Sequence, residues 1–148
     1  MYEFLRYRVG DVMTAETLTI REETALTEVE RLFTKHGFNS LPVVDAAGTM
    51  VGLVTKLDFL KAFAFSTDAM VPRYEEIVAR PARSVMTREP ETVDSALPLT
   101  RVLERMVSTR LRSFPVVEGK RLVGMVSRED VMTAVRRAAE GKGPARND

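Results

Sequence analysis

The chain carries one pattern twice, and the repeat constrains its fold more than any composition does. "DVMTAETLTI" at residues 11 to 20 returns as "SVMTREPETV" at 84 to 93, so Met13 and Met86 stand 73 positions apart (86 − 13). Pro42 and Pro115 keep that offset (115 − 42), so nothing is inserted between motif and proline. At Asp58 and Asp130 the offset falls to 72 (130 − 58), because the turn "DAAGTM" has become "EGKRL". A one-residue loss in a hairpin turn is tolerated where a loss inside an element is not. Whatever one copy forms, the other must form too.

Each copy reads β, α, β, β, α. A short extended "TLTI" or "ETV" leads into helical spacing at Leu26, Val29 and Phe33, and at Leu99, Val102 and Met106. Thr24 is the expected N-cap of the first helix, and Pro98 the expected first helical residue of the second, where its missing N–H has no intrahelical partner to lose. "LPVV" and "MVGLVT", or "FPVV" and "LVGMVS", are β-branched runs joined by glycine-containing turns, which predicts antiparallel hairpins. A closing helix begins near Asp58, carrying Leu60 and Phe63, and near Asp130, carrying Val131 and Val135.

This spacing divides the chain into a first repeat over 8–63, a connector over 64–81, a second repeat over 82–138 and a flexible tail over 139–148. The connecting stretch holds Pro72 and Pro81 as breakers around a predicted short helix at "RYEEIVA". Two units of this size would struggle to bury their apolar faces alone. The fold class expected is α+β, two pseudo-symmetric repeats packed sheet against sheet in one compact unit, with matched clefts between the copies.

Composition removes function classes. The 148 residues, 45% apolar and 29% charged, suit one globular domain or two small ones. No apolar run approaches the length of a membrane span, and "MYEFLRYRVGD" lacks a secretory apolar region, so a soluble, cytoplasmic protein is expected. Zero cysteines rule out disulfides, thiolate zinc sites and cysteine nucleophiles, and a single histidine, His36, rules out a multi-histidine metal site. A net charge of +1 from 22 basic and 21 acidic residues gives no global attraction for nucleic acid. Without a P-loop, a metal cluster or a general-base constellation, neither enzymatic turnover nor a catalytic cofactor or metal is expected.

What the repeat does offer is a hydroxyl and a carboxylate three residues apart at a strand-to-helix junction: Thr55 and Asp58, then Ser127 and Asp130. A helix N-terminus has unpaired N–H groups and favours anions. A carboxylate in its first turn can accept both hydroxyls of a vicinal diol, as in ribose. T-x-x-D and S-x-x-D are also ordinary capping sequences. The two roles are compatible, since a cap exposed to a cleft can also serve a ligand.

"DVMT…GFNSLPVVDAAGTMVGLVTKLD", repeated as "SVMT…RLRSFPVVEGKRLVGMVSRED", resembles a tandem pair of CBS domains, the modules named after cystathionine beta-synthase, over about residues 8 to 138. The resemblance implies one folded pair that binds adenosyl ligands (AMP, ADP, ATP or S-adenosylmethionine) and associates into disc-like dimers. It implies that Asp58 and Asp130 hold ribose, with Thr55 and Ser127 near ribose or phosphate. Adenine would lie against Phe38, Asn39 and Ser40 in the first copy and Leu111, Arg112 and Ser113 in the second. Leu53 and Met125 would form the opposing apolar wall, unless they are plain core. Thr14 and Thr87, which end the "DVMT" and "SVMT" motifs, complete the candidate ligand-binding set.

The copies differ. Gly37 suits a helix end with positive φ, whereas the second copy has Arg110 there, which together with Arg112 is expected to favour phosphates if it is not simply solvated. His36 could touch a phosphate or simply favour the helix dipole. The function expected is a stand-alone regulatory module that senses energy state through an adenine nucleotide and passes a conformational change to its own homodimer or to a regulated partner. The alternatives are a ligand-free dimerisation scaffold and, with less support, nucleic-acid binding through Arg110, Arg112, Arg136 and Arg137. No stacking aromatics interleave with those charges, which argues against nucleic acid.

Overall fold

The computed structural model describes residues 1–65 and 70–145. Positions 66–69 of the expected connector and 146–148 of the expected tail lie outside the described residues. In chain order the elements are α1 (Val9–Val12), α2 (Leu26–His36), β1 (Ser40–Val44), β2 (Met50–Thr55), α3 (Lys56–Lys61), α4 (Tyr74–Val78), β3 (Val93–Asp94), α5 (Leu99–Thr109), β4 (Ser113–Glu118), β5 (Arg121–Ser127) and α6 (Arg128–Ala139). Helices and two small sheets make the chain α+β, as its patterning predicts.

These elements group into two compact units, one continuous (Leu18–Pro90) and one split (Met1–Thr17 with Glu91–Asp148). In the continuous unit β1 and β2 form an antiparallel hairpin, with Ser40 opposite Thr55 and Pro42 opposite Leu53. The expected opening strand at "TLTI" does not form; only Ile20 makes an isolated parallel bridge to Val43. Leu26, Val29 and Phe33 from α2 bury against Leu41, Val43 and Val54 from the hairpin and Ile77 and Val78 from α4. The split unit repeats the plan: β3 pairs parallel to β4, and β4 antiparallel to β5, with Ser113 opposite Ser127 and Pro115 opposite Met125. Its core joins Leu99, Val102 and Met106 to Phe114, Val116, Val126 and Val131, and it also takes in Phe4, Tyr7 and Val9 from the start of the chain.

Each unit borrows the opening motif of the other copy. Thr14 exchanges two backbone hydrogen bonds with Met125 (2.8 and 3.0 Å), and Thr87 does the same with Leu53 (2.8 and 3.0 Å). The glycine of each "VGxV" run makes room for that approach. A Cβ on Gly124 would stand 2.6 Å from the Thr14 carbonyl oxygen, and one on Gly52 would stand 2.8 Å from Met86 Sδ and 3.1 Å from the Thr87 carbonyl oxygen.

Two expected caps are corrected. Thr24 does not cap α2: its Oγ1 accepts the Arg21 N–H at 2.9 Å, and Ala25 holds the cap position. Pro98 is the cap residue of α5, one position earlier than expected, with ψ 139°. In both helices a distant carbonyl substitutes for a capping side chain. Leu26 N–H donates to Arg80 O, and Leu99 N–H donates to Tyr7 O, each at 3.0 Å. At the other terminus Gly37 has φ 65°, as expected, and Arg110 takes the same left-handed backbone at φ 61° although it is not a glycine. The tail segment starts inside α6, and its Lys142 carbonyl accepts the Tyr7 hydroxyl at 3.0 Å.

Candidate functional site

The strand-to-helix junctions are reciprocal capping boxes. At the first, Asp58 N–H donates to Thr55 Oγ1 and Thr55 N–H to Asp58 Oδ2, both at 3.0 Å. At the second, Asp130 N–H donates to Ser127 Oγ at 3.3 Å and Ser127 N–H to Asp130 Oδ2 at 2.8 Å. The Ser127 hydroxyl adds a bond to the same oxygen at 3.0 Å. Each box satisfies orphan donors of the helix start and pins its carboxylate to the end of a strand.

Around each box the candidate residues of one set come together. In the continuous unit Ser40 lies across from Thr55, Leu53 lies across from Pro42, and Thr87 bonds the backbone of Leu53. Asn39 offers its carbonyl to Lys56 N–H at 3.2 Å. Phe38 is partly exposed, its ring stacked on His36 with centroids 5.2 Å apart and 11° between planes. In the split unit Ser113 lies across from Ser127, Thr14 bonds Met125, and Arg112 O accepts Arg128 N–H at 3.0 Å. Leu111 N–H donates to Thr109 Oγ1 at 3.2 Å. Thr14 therefore joins the second-copy residues and Thr87 the first-copy residues.

The carboxylates differ in their surroundings. Asp58 is 2% exposed and is the buried charged residue among those described. Thr87 Oγ1 lies 3.0 Å from its Oδ2 and 3.2 Å from its Oδ1, and Lys61 Nζ reaches Oδ1 at 3.1 Å. Asp130 is half-buried and borders a cavity of about 290 Å³ shared with Tyr7, Asp11, Thr133 and Arg137. Lys61 was not among the sequence candidates, although its place three residues after Asp58 on a helix is a recognisable ion-pair spacing.

Of the two arginines that distinguish the second copy, Arg110 faces away from Asp130. Arg110 lines an apolar groove of about 380 Å³ with Leu103, Val107, Arg128 and Met132, a different cavity from the one at Asp130. Arg128 Nη2 donates to Arg110 O at 2.6 Å and Nε to Leu111 O at 3.4 Å, fastening the left-handed turn after α5. Arg112 is exposed. Among the described residues no group of three His, Cys, Asp or Glu could hold a metal ion, and no helix is long and apolar enough to cross a membrane.

The CBS domain family model matches residues 9–65 and 82–137. The chain belongs to that family. Homoserine O-acetyltransferase of Methanohalobium evestigatum is 31% identical over 83% of this chain, but the match takes in only 23% of that protein. The chain spans about a quarter of the length of the first curated relatives it matches. Among solved structures, the CBS domain pair of protein MJ0100, in complex with 5′-methylthioadenosine and S-adenosyl-L-methionine, is 27% identical, with TM-score 0.70 over 92% of this chain and 98% of that one. The structure of CBSX2 in complex with AMP shares the fold at 24% identity, with TM-score 0.75 over 90% of this chain and 98% of that one.

Proposed function

We propose that the chain is a regulatory binding module that takes an adenosyl ligand at its strand-to-helix junctions, without turnover of its own. The observation that carries this is the doubled junction, a hydroxyl and a carboxylate locked in a capping box at Thr55/Asp58 and again at Ser127/Asp130. The 27%-identical MJ0100 pair, solved with two adenosyl compounds, supports the same ligand class. Asp58 and Asp130 accept the ribose hydroxyls. Phe38, Asn39, Ser40 and Leu53, and Leu111, Arg112, Ser113 and Met125, flank the base, with Thr14 and Thr87 at the site edges. The ligand is an adenine nucleotide (AMP, ADP or ATP) or S-adenosylmethionine, and occupancy reports energy or methylation state to a homodimer or a regulated partner in the cytoplasm.

Calorimetric titration with AMP, ADP, ATP and S-adenosylmethionine tests this, alongside mass spectrometry of whatever co-purifies. Asp58→Ala and Asp130→Ala should each weaken one site by about 2 kcal/mol, roughly thirtyfold, as expected for lost hydrogen bonds to a charged group. A double variant that binds as well as the parent would refute the ribose assignment. One observation favours a second reading, a dimerisation scaffold without ligand: Val107 and Met132 on the α5/α6 face are 73% and 69% exposed. A scaffold would show no ligand-dependent rise in melting temperature, whereas a ligand bound only by the folded state must raise it.

A further inference from the structure

The two junctions share a sequence pattern and a capping geometry but present their carboxylates in opposite conditions. A carboxylate offers about four acceptor positions. At Asp58 three are engaged, by Thr55 N–H, by Lys61 Nζ and by the Thr87 hydroxyl, which lies within 3.2 Å of both oxygens. A hydroxyl straddling a carboxylate stands where one hydroxyl of a ribose would have to stand. A diol needs two acceptor positions, so it can bind Asp58 only by displacing the Thr87 hydroxyl or Lys61 Nζ.

At Asp130 neither obstacle is present. The counterpart of Lys61 is Thr133 (133 − 61 = 72) and that of Thr87 is Thr14 (87 − 14 = 73). Among the described residues neither side chain hydrogen-bonds Asp130, whose protein donors all converge on Oδ2. Among the described residues no donor reaches its Oδ1, and the residue borders the cavity of about 290 Å³. A diol arriving there adds hydrogen bonds without breaking existing ones.

We infer that Lys61 and Thr87 form a latch over Asp58, so that an adenosyl ligand fills the Asp130 site first and the Asp58 site only when the latch gives way. The inference rests on the adenosyl-ligand reading above. It makes Lys61 an affinity-setting residue that need not touch the ligand, and it gives the module two thresholds. Because the Lys61 side chain is 61% exposed, the latch is sensitive to salt.

The test is calorimetric titration of the full chain with AMP, and separately with S-adenosyl-L-methionine, at low and high salt. The parent should show two events separated by at least about tenfold in affinity. Asp130→Asn should remove the tighter event. Lys61→Thr, which installs the residue found at position 133, should tighten the weaker event several-fold and narrow the gap, as should salt. Lys61→Arg, which keeps the ion pair, should leave the gap in place, separating the latch from any general effect of substitution at this position. Loss of the weaker event in Asp130→Asn, or an unchanged gap in Lys61→Thr, overturns the latch while leaving the adenosyl reading intact. No heat from either probe with the parent or any variant overturns the adenosyl reading, and the order of filling with it.

Discussion

At the scale of single residues, the glycines of the two "VGxV" runs are steric requirements rather than turn residues. Neither sits at a positive φ, and each lies beneath a backbone segment contributed by the other copy's motif. Gly124 faces a carbonyl oxygen at 2.6 Å, while the nearest atom to Gly52 is a flexible thioether sulfur. Gly124→Ala is therefore expected to destabilise the protein by about 1–3 kcal/mol, the usual cost of overpacking, and Gly52→Ala by less. Urea denaturation should show a lower midpoint with an unchanged slope, with the larger drop at Gly124. Equal drops would mean that the Thr14 backbone shifts as easily as the Met86 side chain.

At the scale of elements, α4 is tied to α2 by two hydroxyls, the first being that of Thr27, which donates to Val78 O at 3.0 Å. Tyr74 OH donates to Glu30 Oε2 at 2.6 Å, and losing that proton would set a phenolate against a carboxylate. The Glu30 hydrogen bond, then burial and the negative charges of Glu30 and Glu75, hold the phenol above its ordinary range. A pKa raised in the folded state means a contribution to stability that is complete at neutral pH and disappears as pH climbs through that value. Ultraviolet titration should show a late step that Glu30→Gln moves to lower pH and Tyr74→Phe removes. Phe63 also stacks on Tyr74, with centroids 6.0 Å apart and 26° between planes, so the same helix is held by ring packing as well.

At the scale of the whole molecule, the exchange of opening motifs makes each unit depend on chain that belongs, by repeat, to the other. The split unit buries Phe4, Tyr7 and Val9 beside Phe114 and Leu99, and Tyr7 supplies the carbonyl that starts α5. Removing residues 1–17 takes three large side chains out of that core, a loss of several kcal/mol on the scale of large-to-small substitutions. A chain beginning at Leu18 is thus expected to lose fixed packing in the second repeat while the continuous unit stays folded. Near-UV circular dichroism and amide exchange would read this directly, and adding a peptide of residues 1–17 should restore protection. Full protection in the truncated chain would show that the second repeat completes its core without them.

What the sequence by itself determined is local in origin. The period of apolar residues gave the order of elements, β-branched runs set the hairpins, Gly37 marked a helix end, and the hydroxyl–carboxylate spacing at Thr55/Asp58 and Ser127/Asp130 was legible as a junction of caps. All of these act within a few residues, where side-chain periodicity and backbone donors leave a direct trace. Only the tertiary structure decided that Thr14 pairs with Met125 and Thr87 with Leu53, because two near-identical motifs facing two near-identical hairpins are indistinguishable by pattern. The caps of α2 and α5 were hidden for a related reason: Arg80 O and Tyr7 O come from distant chain and carry no side-chain signature. The contrast between a sealed Asp58 and an open Asp130 was likewise out of reach. It depends on where Lys61 and Thr87 meet one carboxylate while, among the described residues, neither Thr133 nor Thr14 bonds the other, a matter of packing in three dimensions that the repeat, read as letters, presents as the same site twice.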